Sequence, residues 1–267
     1  MHGLLEGKVA VITGAGSGVG RAAVKVWTDN GAKVIAADIN LATVEETLSL
    51  HGLGADKAIA VACNVADRAA VDAMVKAAVD AFGRLDAIYN NAGITVSSRP
   101  GGGGLRALVD LPDEEMRRVE DVNINGVIYG CQAAIRQFIA QGSGGAIVNT
   151  ASVSGLIGYG GVLYGTTKAA VVGMTRTLAI EVAEHGIRVN SVCPAGMLTN
   201  YGDLDPDHPQ RDMILQHMGK AHPLGRAIDP ADTASAAMFL ASDLASNITG
   251  VNLPVDGGLT AGRKVGG

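Results

Sequence analysis

The amino-acid sequence predicts a doubly wound α/β fold, in which helices cover both faces of a seven-stranded parallel sheet, in a single domain of residues 1–267. Short apolar runs alternate along the chain with longer amphipathic stretches, which is typical of parallel strands joined by crossover helices. A glycine-rich turn directly follows the first apolar run. The chain has 267 residues, of which 48% are hydrophobic, and this is enough for one sizeable core.

Seven apolar runs, most of them rich in β-branched residues, predict the strands. They are Val9–Thr13, Lys33–Asp38, Ala58–Cys63, Leu85–Asn90, Ala146–Thr150, Ile187–Val192 and Asn252–Val255. Helical patterns fill intervals between them at Gly20–Asn30, Arg68–Phe82, Asp113–Gln141, Tyr164–Glu184 and Pro230–Ser242. Several of these helices end near a glycine, as is common at helix C-termini, at Gly31, Gly83, Gly142 or Gly186.

Two segments depart from this alternation. The stretch RPGGGG at 99–104 is typical of a flexible surface loop. The longer segment 195–226 is rich in Pro, Asp, His and Met and follows the sixth strand. Because open α/β sheets bind ligands beyond the carboxyl ends of their strands, we expect 195–226 to border a binding site and to act as a substrate lid.

Composition and charge exclude several classes of protein. The net charge is −5, and no run of Lys or Arg is interleaved with aromatic residues, so we expect no nucleic-acid partner. The N-terminus lacks the features of a secretion signal and no apolar run approaches the length of a membrane span, so we expect a cytoplasmic protein. Cys63, Cys131 and Cys193 are far apart in apolar surroundings, and the histidines lack metal-ligand spacing, which argues against disulfides and a metal site.

The glycine-rich turn VAVITGAGSGVGRAA favours a dinucleotide site. It places Gly14, Gly16, Gly18 and Gly20 between an apolar strand and a helix. Residues without a Cβ let the backbone approach a pyrophosphate, and a helix N-terminus offers free N–H groups and a partial positive charge. The alternative is a plain tight turn, but the strand before and the helix after it favour the dinucleotide interpretation.

An acidic residue at the end of the second strand favours NAD over NADP. Asp38 stands eighteen residues beyond Gly20, where an acid would accept hydrogen bonds from the adenosine ribose. Its charge would repel a 2′-phosphate, and no Arg or Lys stands close by in the sequence. The alternative is that Asp38 or Asn40 only caps the following helix.

Taken together, the motifs resemble those of the short-chain dehydrogenase/reductase family over nearly the whole sequence. They are TGAGSGVG at 13–20, NNAG at 90–93, VNING at 122–126, NTASVSG at 149–155, YGTTK at 164–168, RVNSVCPAGMLT at 188–199 and GVNLPVDGG at 250–258, in the family's order. The resemblance implies a Rossmann-type sheet with a nicotinamide cofactor across its carboxyl edge.

The resemblance also implies a catalytic group of Asn123, Ser152, Tyr164 and Lys168. Tyr164 would be the general acid/base, Ser152 would hold the substrate oxygen, and Asn123 would help to order a water that leads to Lys168. The alternative is that Tyr164 and Lys168 are only a polar (i, i+4) pair on an exposed helix face.

The chemistry of proton transfer explains why a lysine would accompany the tyrosine. An unperturbed tyrosine has a pKa of about 10, too high for an efficient base near neutrality, so its phenolate needs positive charge nearby. Lys168 lies one helical turn beyond Tyr164 on the same face and can supply that charge. Its ammonium would also reach the hydroxyls of the nicotinamide ribose, while hydride transfer belongs to the cofactor.

Other positions carry over as cofactor contacts. Asn64 and Val65 would flank the adenine, residues 91–93 would lie under the adenosine half, and 194–199 would run beside the nicotinamide. Asn91 has a structural alternative, in which it ties neighbouring strands together. The full set of expected contacts is Gly14, Ser17, Gly18, Val19, Gly20, Asp38, Ile39, Asn64, Val65, Asn91, Ala92, Gly93, Tyr164, Lys168, Pro194, Ala195, Gly196, Met197 and Thr199.

The chain departs from the family pattern at three places. Asn64 stands where the family usually has Asp, and an amide can still contact adenine. Ala195 stands where the family usually has Gly, which restricts the backbone beside the nicotinamide. The interval between Ser152 and Tyr164 is one residue shorter than usual, which makes Ser154 a rival for the serine role.

The predicted lid suggests the class of substrate. Its apolar residues would suit an apolar or alicyclic alcohol, but they could equally pack the lid onto its own domain. They are Met197, Leu198, Met213, Ile214, Leu215 and Met218. Asp205, Asp207 and His208 are interpreted as an acidic solvated turn and not as metal ligands.

The leading hypothesis is an NAD-dependent alcohol dehydrogenase or carbonyl reductase for a small or medium, largely apolar secondary alcohol or ketone. The alternatives are an NADPH-dependent 3-oxoacyl-thioester reductase and a non-catalytic dinucleotide-binding module. Family members are commonly homotetramers. In this chain the helices at 113–141 and 164–184 would pair subunits, and residues 251–267 would support a second interface.

Overall fold

A computed structural model describes residues 3–96, 106–199, 201 and 207–262. The strands in these ranges are β1 Val9–Thr13, β2 Lys33–Asp38, β3 Ala58–Ala62, β4 Ala87–Asn90, β5 Gly145–Thr150, β6 Ile187–Pro194 and β7 Asn252–Val255. They form one parallel seven-stranded sheet in the order β3-β2-β1-β4-β5-β6-β7. The predicted doubly wound sheet is therefore confirmed, whereas the loop at 99–104 lies outside the described residues.

The helices agree with the predicted ones in most places. They are α1 Gly18–Asp29, α2 Leu41–Leu50, α3 Arg68–Phe82, α4 Asp113–Glu120, α5 Gly126–Gln141, α6 Val162–Glu181, α7 Arg211–Gly219 and α8 Pro230–Ala241. The predicted helix over 113–141 is continuous in the structure, where a π-helical turn at Asp121–Asn125 joins α4 to α5. The helix expected after Asn40 is α2, whereas α7 within 195–226 was not predicted. No helix within the described ranges is both long and apolar enough to cross a membrane.

The start of β4 differs from the prediction for a local reason. The Leu85 N–H donates to Gln141 Oε1 at 2.8 Å, and Gln141 Nε2 donates to the Leu85 carbonyl oxygen at 2.8 Å. A side chain of α5 thus occupies the backbone groups of Leu85, so the ladder to β1 begins at Ala87. At the other side of the sheet β6 runs to Pro194, which pairs with Val255.

The alternation of side chains along β1 places a core on each face of the sheet. Val9 and Val11 face the layer formed by α3, α5 and α6. Ala10 and Ile12 face the opposite layer, where the buried Trp27 of α1 donates to the Ala234 carbonyl oxygen of α8 at 3.2 Å. Because both faces are covered, open backbone and polar side chains concentrate at the carboxyl edge of the sheet.

Candidate active site

Tyr164 and Lys168 lie near the start of α6, against the carboxyl end of β5. The Lys168 residue is 2% exposed, and its Nζ donates to the Thr150 carbonyl oxygen at 2.8 Å. Nζ also lies 5.6 Å from the centroid of the half-buried Tyr164 ring. The structure therefore excludes the alternative that these residues form a polar pair on an exposed helix face.

Ser152 approaches the Tyr164 hydroxyl from the turn that follows β5. Ser152 Oγ accepts a hydrogen bond from the Ser154 N–H at 3.1 Å and thereby caps a short 3-10 turn, Val153–Gly155. Its side chain also hydrogen-bonds with Tyr164. The short interval between Ser152 and Tyr164 therefore still brings the two hydroxyls together, while Ser154 Oγ lies 3.2 Å from Ser152 Oγ.

Burial favours the neutral forms of both ionisable groups. Burial raises the pKa of the Tyr164 phenol above its ordinary value, and hydrogen bonds with Tyr201 and Ser152 act against that rise. Burial lowers the pKa of the Lys168 ammonium to about 8, and no carboxylate of the described residues contributes to its shift. A negative charge placed nearby, such as a phenolate on Tyr164, would favour the charged form of Lys168.

Asn123 lies in the π-helical turn between α4 and α5, a feature that often marks functional sites. Its amide pairs with both backbone groups of Ile94, since Oδ1 accepts from the N–H at 2.9 Å and Nδ2 donates to the carbonyl oxygen at 2.8 Å. A Cβ on Gly93 would lie 3.3 Å from Lys168 Nζ and 3.4 Å from Asn123 Oδ1. Asn123 and Lys168 therefore flank Gly93, and the role of Asn123 in ordering a water stays a prediction.

The Asn91 side chain ties β1 to β5. Its Nδ2 donates to the Thr13 carbonyl oxygen at 3.0 Å, and its Oδ1 lies 3.2 Å from Thr150 Oγ1. Thr150 Oγ1 also lies 2.9 Å from the hydroxyl of the buried Tyr89, and the Thr150 carbonyl oxygen accepts from Lys168. This geometry supports the structural alternative for the Asn91 side chain.

The glycine-rich turn between β1 and α1 has no space for side chains. A Cβ on Gly20 would lie 1.9 Å from the Gly14 carbonyl oxygen, and Gly18 has a φ of +48° and packs against Thr199. Ser17 stands at the N-cap of α1 without a side-chain capping hydrogen bond. The first N–H groups of α1 therefore remain available to a ligand, and these residues fit the pyrophosphate of a dinucleotide.

Asp38 braces the glycine-rich turn from the end of β2. Its Oδ2 accepts from the Gly16 N–H at 3.1 Å, and its Oδ1 accepts from the Asn40 N–H at 3.1 Å. The helix cap belongs to Asn40, whose Oδ1 accepts from the Ala42 N–H of α2 at 3.2 Å. The capping alternative therefore applies to Asn40, and the Asp38 carboxylate stays at the turn.

The expectation that no Arg or Lys stands close to Asp38 is wrong, because Arg21 and Asp38 both contact Gly16 of the turn. The Arg21 Nη2 donates to the Gly16 carbonyl oxygen at 2.7 Å and to Glu46 Oε2 at 2.9 Å. Its Nε donates to Thr47 Oγ1 at 3.0 Å. Glu46 and Thr47 belong to α2, and Glu46 balances the charge of Arg21.

The predicted cofactor contact Ile39 lies beyond β2, and the predicted adenine contacts Asn64 and Val65 lie beyond β3. Ile39 is 71% exposed, Asn64 is exposed and Val65 is buried against Gly126. The Asn64 Oδ1 accepts from the Ala66 N–H at 3.1 Å. The Asn64 amide nitrogen takes no part in this hydrogen bond.

The segment after β6 accommodates Ala195 without a glycine. Ala195 is 6% exposed and packs with Val153 and Ile228. Its N–H donates to the Val255 carbonyl oxygen at 3.2 Å, which extends the β6 ladder by one residue. The extra methyl group therefore lies in a small apolar cluster.

The apolar residues of the predicted lid divide between packing and exposure. Leu198 is buried, whereas Met213 of α7 is 57% exposed. A Cβ on Gly196 would lie 3.4 Å from the Tyr159 hydroxyl and 3.6 Å from Met218 Cε. Some apolar residues of the lid therefore pack onto the domain, and others are exposed where a substrate could contact them. The closure of the lid over a substrate stays a prediction.

Sequence reasoning missed the second tyrosine of the site. Tyr201 lies beside Tyr164, with 5.8 Å between the ring centroids. Its contact depends on how the chain folds after β6, and no spacing in the sequence encodes it. Among the described residues, His, Cys, Asp and Glu form no group of three or more that could hold a metal ion.

Comparisons with known proteins agree with this geometry. A family model described as "Enoyl-(Acyl carrier protein) reductase" matches residues 14–260. A 3beta-hydroxysteroid dehydrogenase 2 of Eggerthella lenta is 40% identical over 97% of this chain and 96% of its own length. A meso-2,3-butanediol dehydrogenase of Serratia marcescens is 39% identical over 96% of each chain.

A solved structure shows the same architecture. It is a 3-ketoacyl-(acyl-carrier-protein) reductase from Brucella melitensis complexed with NADH, which is 37% identical to this chain, with a TM-score of 0.83. The alignment covers 96% of this chain and 99% of that one. With a family match over most of its length and relatives this similar along nearly the whole sequence, the chain belongs to the short-chain dehydrogenase/reductase family, as its motifs predicted.

Proposed function

We propose that this protein transfers a hydride between NAD(H) and a small or medium, largely apolar secondary alcohol or ketone, with Tyr164 as the general acid/base. One observation carries the proposal. The half-buried Tyr164 phenol is hydrogen-bonded to Ser152, and the buried Lys168 ammonium lies 5.6 Å from its ring. A phenol, a hydroxyl and an ammonium are the groups that proton exchange with an alcohol or ketone needs.

The nicotinamide cofactor supplies the hydride acceptor or donor when it is bound. During oxidation the Tyr164 oxygen takes the hydroxyl proton of the alcohol, and during reduction it gives a proton to the carbonyl oxygen. Ser152 Oγ holds that substrate oxygen. Lys168 Nζ stabilises the phenolate, because opposite charges at this distance favour the ionised form.

The proposal of NAD over NADP rests on the charges around the glycine-rich turn. Asp38 is an anion where a 2′-phosphate would lie, and the cation in the turn, Arg21, is paired with Glu46 at 2.9 Å. A phosphate there would face Asp38 and compete with Glu46 for Arg21. The similar reductase from Brucella melitensis is complexed with NADH, which lends this choice support from a relative.

The proposed substrate class rests on the apolar side chains near the site. Tyr159 and Met218 approach Gly196 at the end of β6, and Met213 is exposed on α7. The relative from Eggerthella lenta is a hydroxysteroid dehydrogenase, and a hydroxysteroid is an alicyclic alcohol. The Brucella melitensis reductase favours an acyl-thioester substrate instead, so that alternative is kept.

The homotetramer and the cytoplasmic location are further proposals. Apolar side chains on the outer surface of α6 support a subunit contact, since Ile180 is 81% exposed and Val162 is 62% exposed. Exposed apolar groups on one helix are common at interfaces between subunits.

Replacing Tyr164 by Phe tests the function directly. We expect kcat/KM for a secondary alcohol to fall by about 10²–10⁴-fold, because proton transfer is lost. NADH binding, followed by fluorescence, should remain. Tyr129→Phe is the matched control, since that hydroxyl belongs to a ring on α5 that contacts Arg68 and should leave turnover unchanged.

Full turnover in Tyr164→Phe would contradict the proposed function. Binding of NADH by a wild-type protein that turns over no alcohol, ketone or thioester would favour the non-catalytic module. A panel of secondary alcohols and one 3-oxoacyl thioester, each with NAD(H) and NADP(H), separates the two enzymatic assignments. Preference for the thioester with NADPH would replace the leading one.

A further inference from the structure

Tyr201 lies directly against the proposed general acid/base. Its ring is tilted by 57° from that of Tyr164 at 5.8 Å between centroids, and the two side chains are hydrogen-bonded. This contact lowers the pKa of the Tyr164 phenol, which is the effect of a neighbour that donates to the phenolate. The Tyr164 hydroxyl therefore has two hydroxyl groups beside it, those of Ser152 and Tyr201.

Contacts at both ends hold Tyr201 in this position. Its N–H donates to Thr199 Oγ1 at 3.2 Å, and Thr199 is 6% exposed and packs against Gly18 of the glycine-rich turn. At the other end, the Thr95 side chain contacts the Tyr201 hydroxyl, and this contact lowers the pKa of that phenol. The residue is 37% exposed as a whole, yet burial raises the pKa of its phenol, so the covered part is the hydroxyl end.

We propose that Tyr201 is a positioning residue that stabilises the phenolate of Tyr164, with Thr95 strengthening the donor. The inference rests on the proposed function, in which Tyr164 must be ionised before it takes a proton from an alcohol. With the single Ser152 proton directed at the substrate oxygen, a phenolate oxygen on Tyr164 can accept from Tyr201 and from the substrate hydroxyl. We expect Thr95 to donate to Tyr201 and so to polarise the bond from Tyr201 to Tyr164.

Other groups face Tyr164 from the elements packed against it. In the described part of the chain the titratable ones are Lys168 on α6, Cys193 on β6 and Tyr201 itself. Burial raises the pKa of the Cys193 thiol to about 11, so it stays neutral near pH 7. The titration of Lys168 is common to the wild type and to a Tyr201 variant, so the difference between them reports on Tyr201.

The test is the pH profile of kcat/KM for alcohol oxidation in Tyr201→Phe. Losing a hydrogen bond to a charged group should raise the midpoint of the acidic limb, where Tyr164 becomes protonated, by about 1 pH unit and lower kcat/KM about tenfold at pH values below it. Thr95→Val should shift the midpoint in the same direction by less, because it weakens the donor without removing it. Tyr129→Phe should leave the midpoint in place.

A second measurement does not depend on turnover. Phenolate absorbance is titrated in the ligand-free wild type and in Tyr164→Phe, and the difference between the two curves is the titration of Tyr164. The same pair in the Tyr201→Phe background should show this phenolate forming at higher pH. NADH binding by fluorescence confirms that each variant is folded.

An unchanged midpoint in Tyr201→Phe would overturn the inference. A rise in kcat/KM at neutral pH would overturn it as well, because it would mean that the Tyr201 hydroxyl only occupies the place of the substrate oxygen. Failure of the proposed function has a different signature, since Tyr164→Phe would then keep its turnover. Loss of turnover in Tyr164→Phe together with an unshifted Tyr201→Phe profile rejects the role of Tyr201 alone.

Discussion

The two edges of the sheet hold their charged side chains in opposite ways. At the amino edge, a cavity of about 190 Å³ is lined by two ion pairs and by Arg188, which donates to three carbonyl oxygens. Asp86 pairs with Arg84 at 2.6 Å, and Lys8 pairs with Asp243 at 3.1 Å. At the carboxyl edge the buried Lys168 has a pKa lowered to about 8, with no carboxylate of the described residues among the causes.

The charges of the amino edge complete the structure. Asp86 Oδ2 also accepts from the Val9 N–H at 2.9 Å, and Arg188 donates to carbonyl oxygens at the end of α8, including that of Leu240 at 2.6 Å. A buried ammonium without a counter-ion destabilises the fold, and Lys168 receives only one carbonyl in return. The contrast indicates that a fully buried ammonium with a single carbonyl acceptor marks the functional edge, since Arg188 at the amino edge has three such acceptors.

Removing one lysine from each edge, Lys168 or Lys8, should give the largest difference in activity between the two edges. Lys168→Ala should lower kcat/KM by about 10²–10³-fold, because the phenolate loses its stabilising charge. Its Kd for NAD should rise by about tenfold, which corresponds to one lost hydrogen bond from a charged donor. Steady-state kinetics and NADH fluorescence measure the two effects.

Lys8→Ala is the matched variant at the amino edge. Its ion pair with Asp243 is largely exposed, so we expect little change in stability and none in turnover. Unaltered NAD affinity in Lys168→Ala would contradict the ribose contact, and equal losses in both variants would break the distinction between the edges.

The glycine-rich turn gives the next largest effect. Gly20→Ala places a Cβ 1.9 Å from the Gly14 carbonyl oxygen, so the turn must shift. We expect the Kd for NADH to rise by about 10–100-fold, since overpacking of this kind costs about 1–3 kcal/mol.

The same two regions differ in how far the sequence predicts them. The glycine-rich turn was predicted because a backbone that passes within contact distance of itself admits only glycine, and the residue type records that requirement. Tyr164 and Lys168 were predicted to share a face because their spacing is one helical turn. Both inferences depend on local geometry alone.

Contacts between distant segments cannot be recognised from residue type or spacing in the sequence. The contact of Tyr201 with Tyr164 depends on the path of the chain after β6, and the pair of Arg21 with Glu46 depends on how α2 packs beside the glycine-rich turn. The π-helical turn around Asn123 holds one residue more than an α-helical turn. No residue type or spacing in the sequence indicates it. Side-chain partners across loops therefore required the structure.

The smallest expected effect concerns stability without any ligand. The pKa of Lys168 is about 8 in the folded protein and 10.5 at its ordinary value, so folding disfavours its charged form. Lys168→Met removes that penalty, and after the lost bond to Thr150 we expect a gain of about 1–2 kcal/mol at pH 7. Urea unfolding at fixed protein concentration measures the gain.

The sign of the pH dependence follows from the lowered pKa. Between pH 8 and 10.5 the unfolded chain binds a proton at Lys168 that the folded protein has released, so wild-type stability rises with pH across this window. The advantage of Lys168→Met should therefore be complete below about pH 8 and absent above about pH 10.5.

Asp86→Asn supplies the opposite case at the amino edge, because it removes a compensated charge and should destabilise the fold by about 1 kcal/mol with turnover unchanged. If Lys168→Met were less stable than the wild type at pH 7, the charge of Lys168 would have to be compensated in the fold. The two edges would then not differ in the way that their contacts indicate.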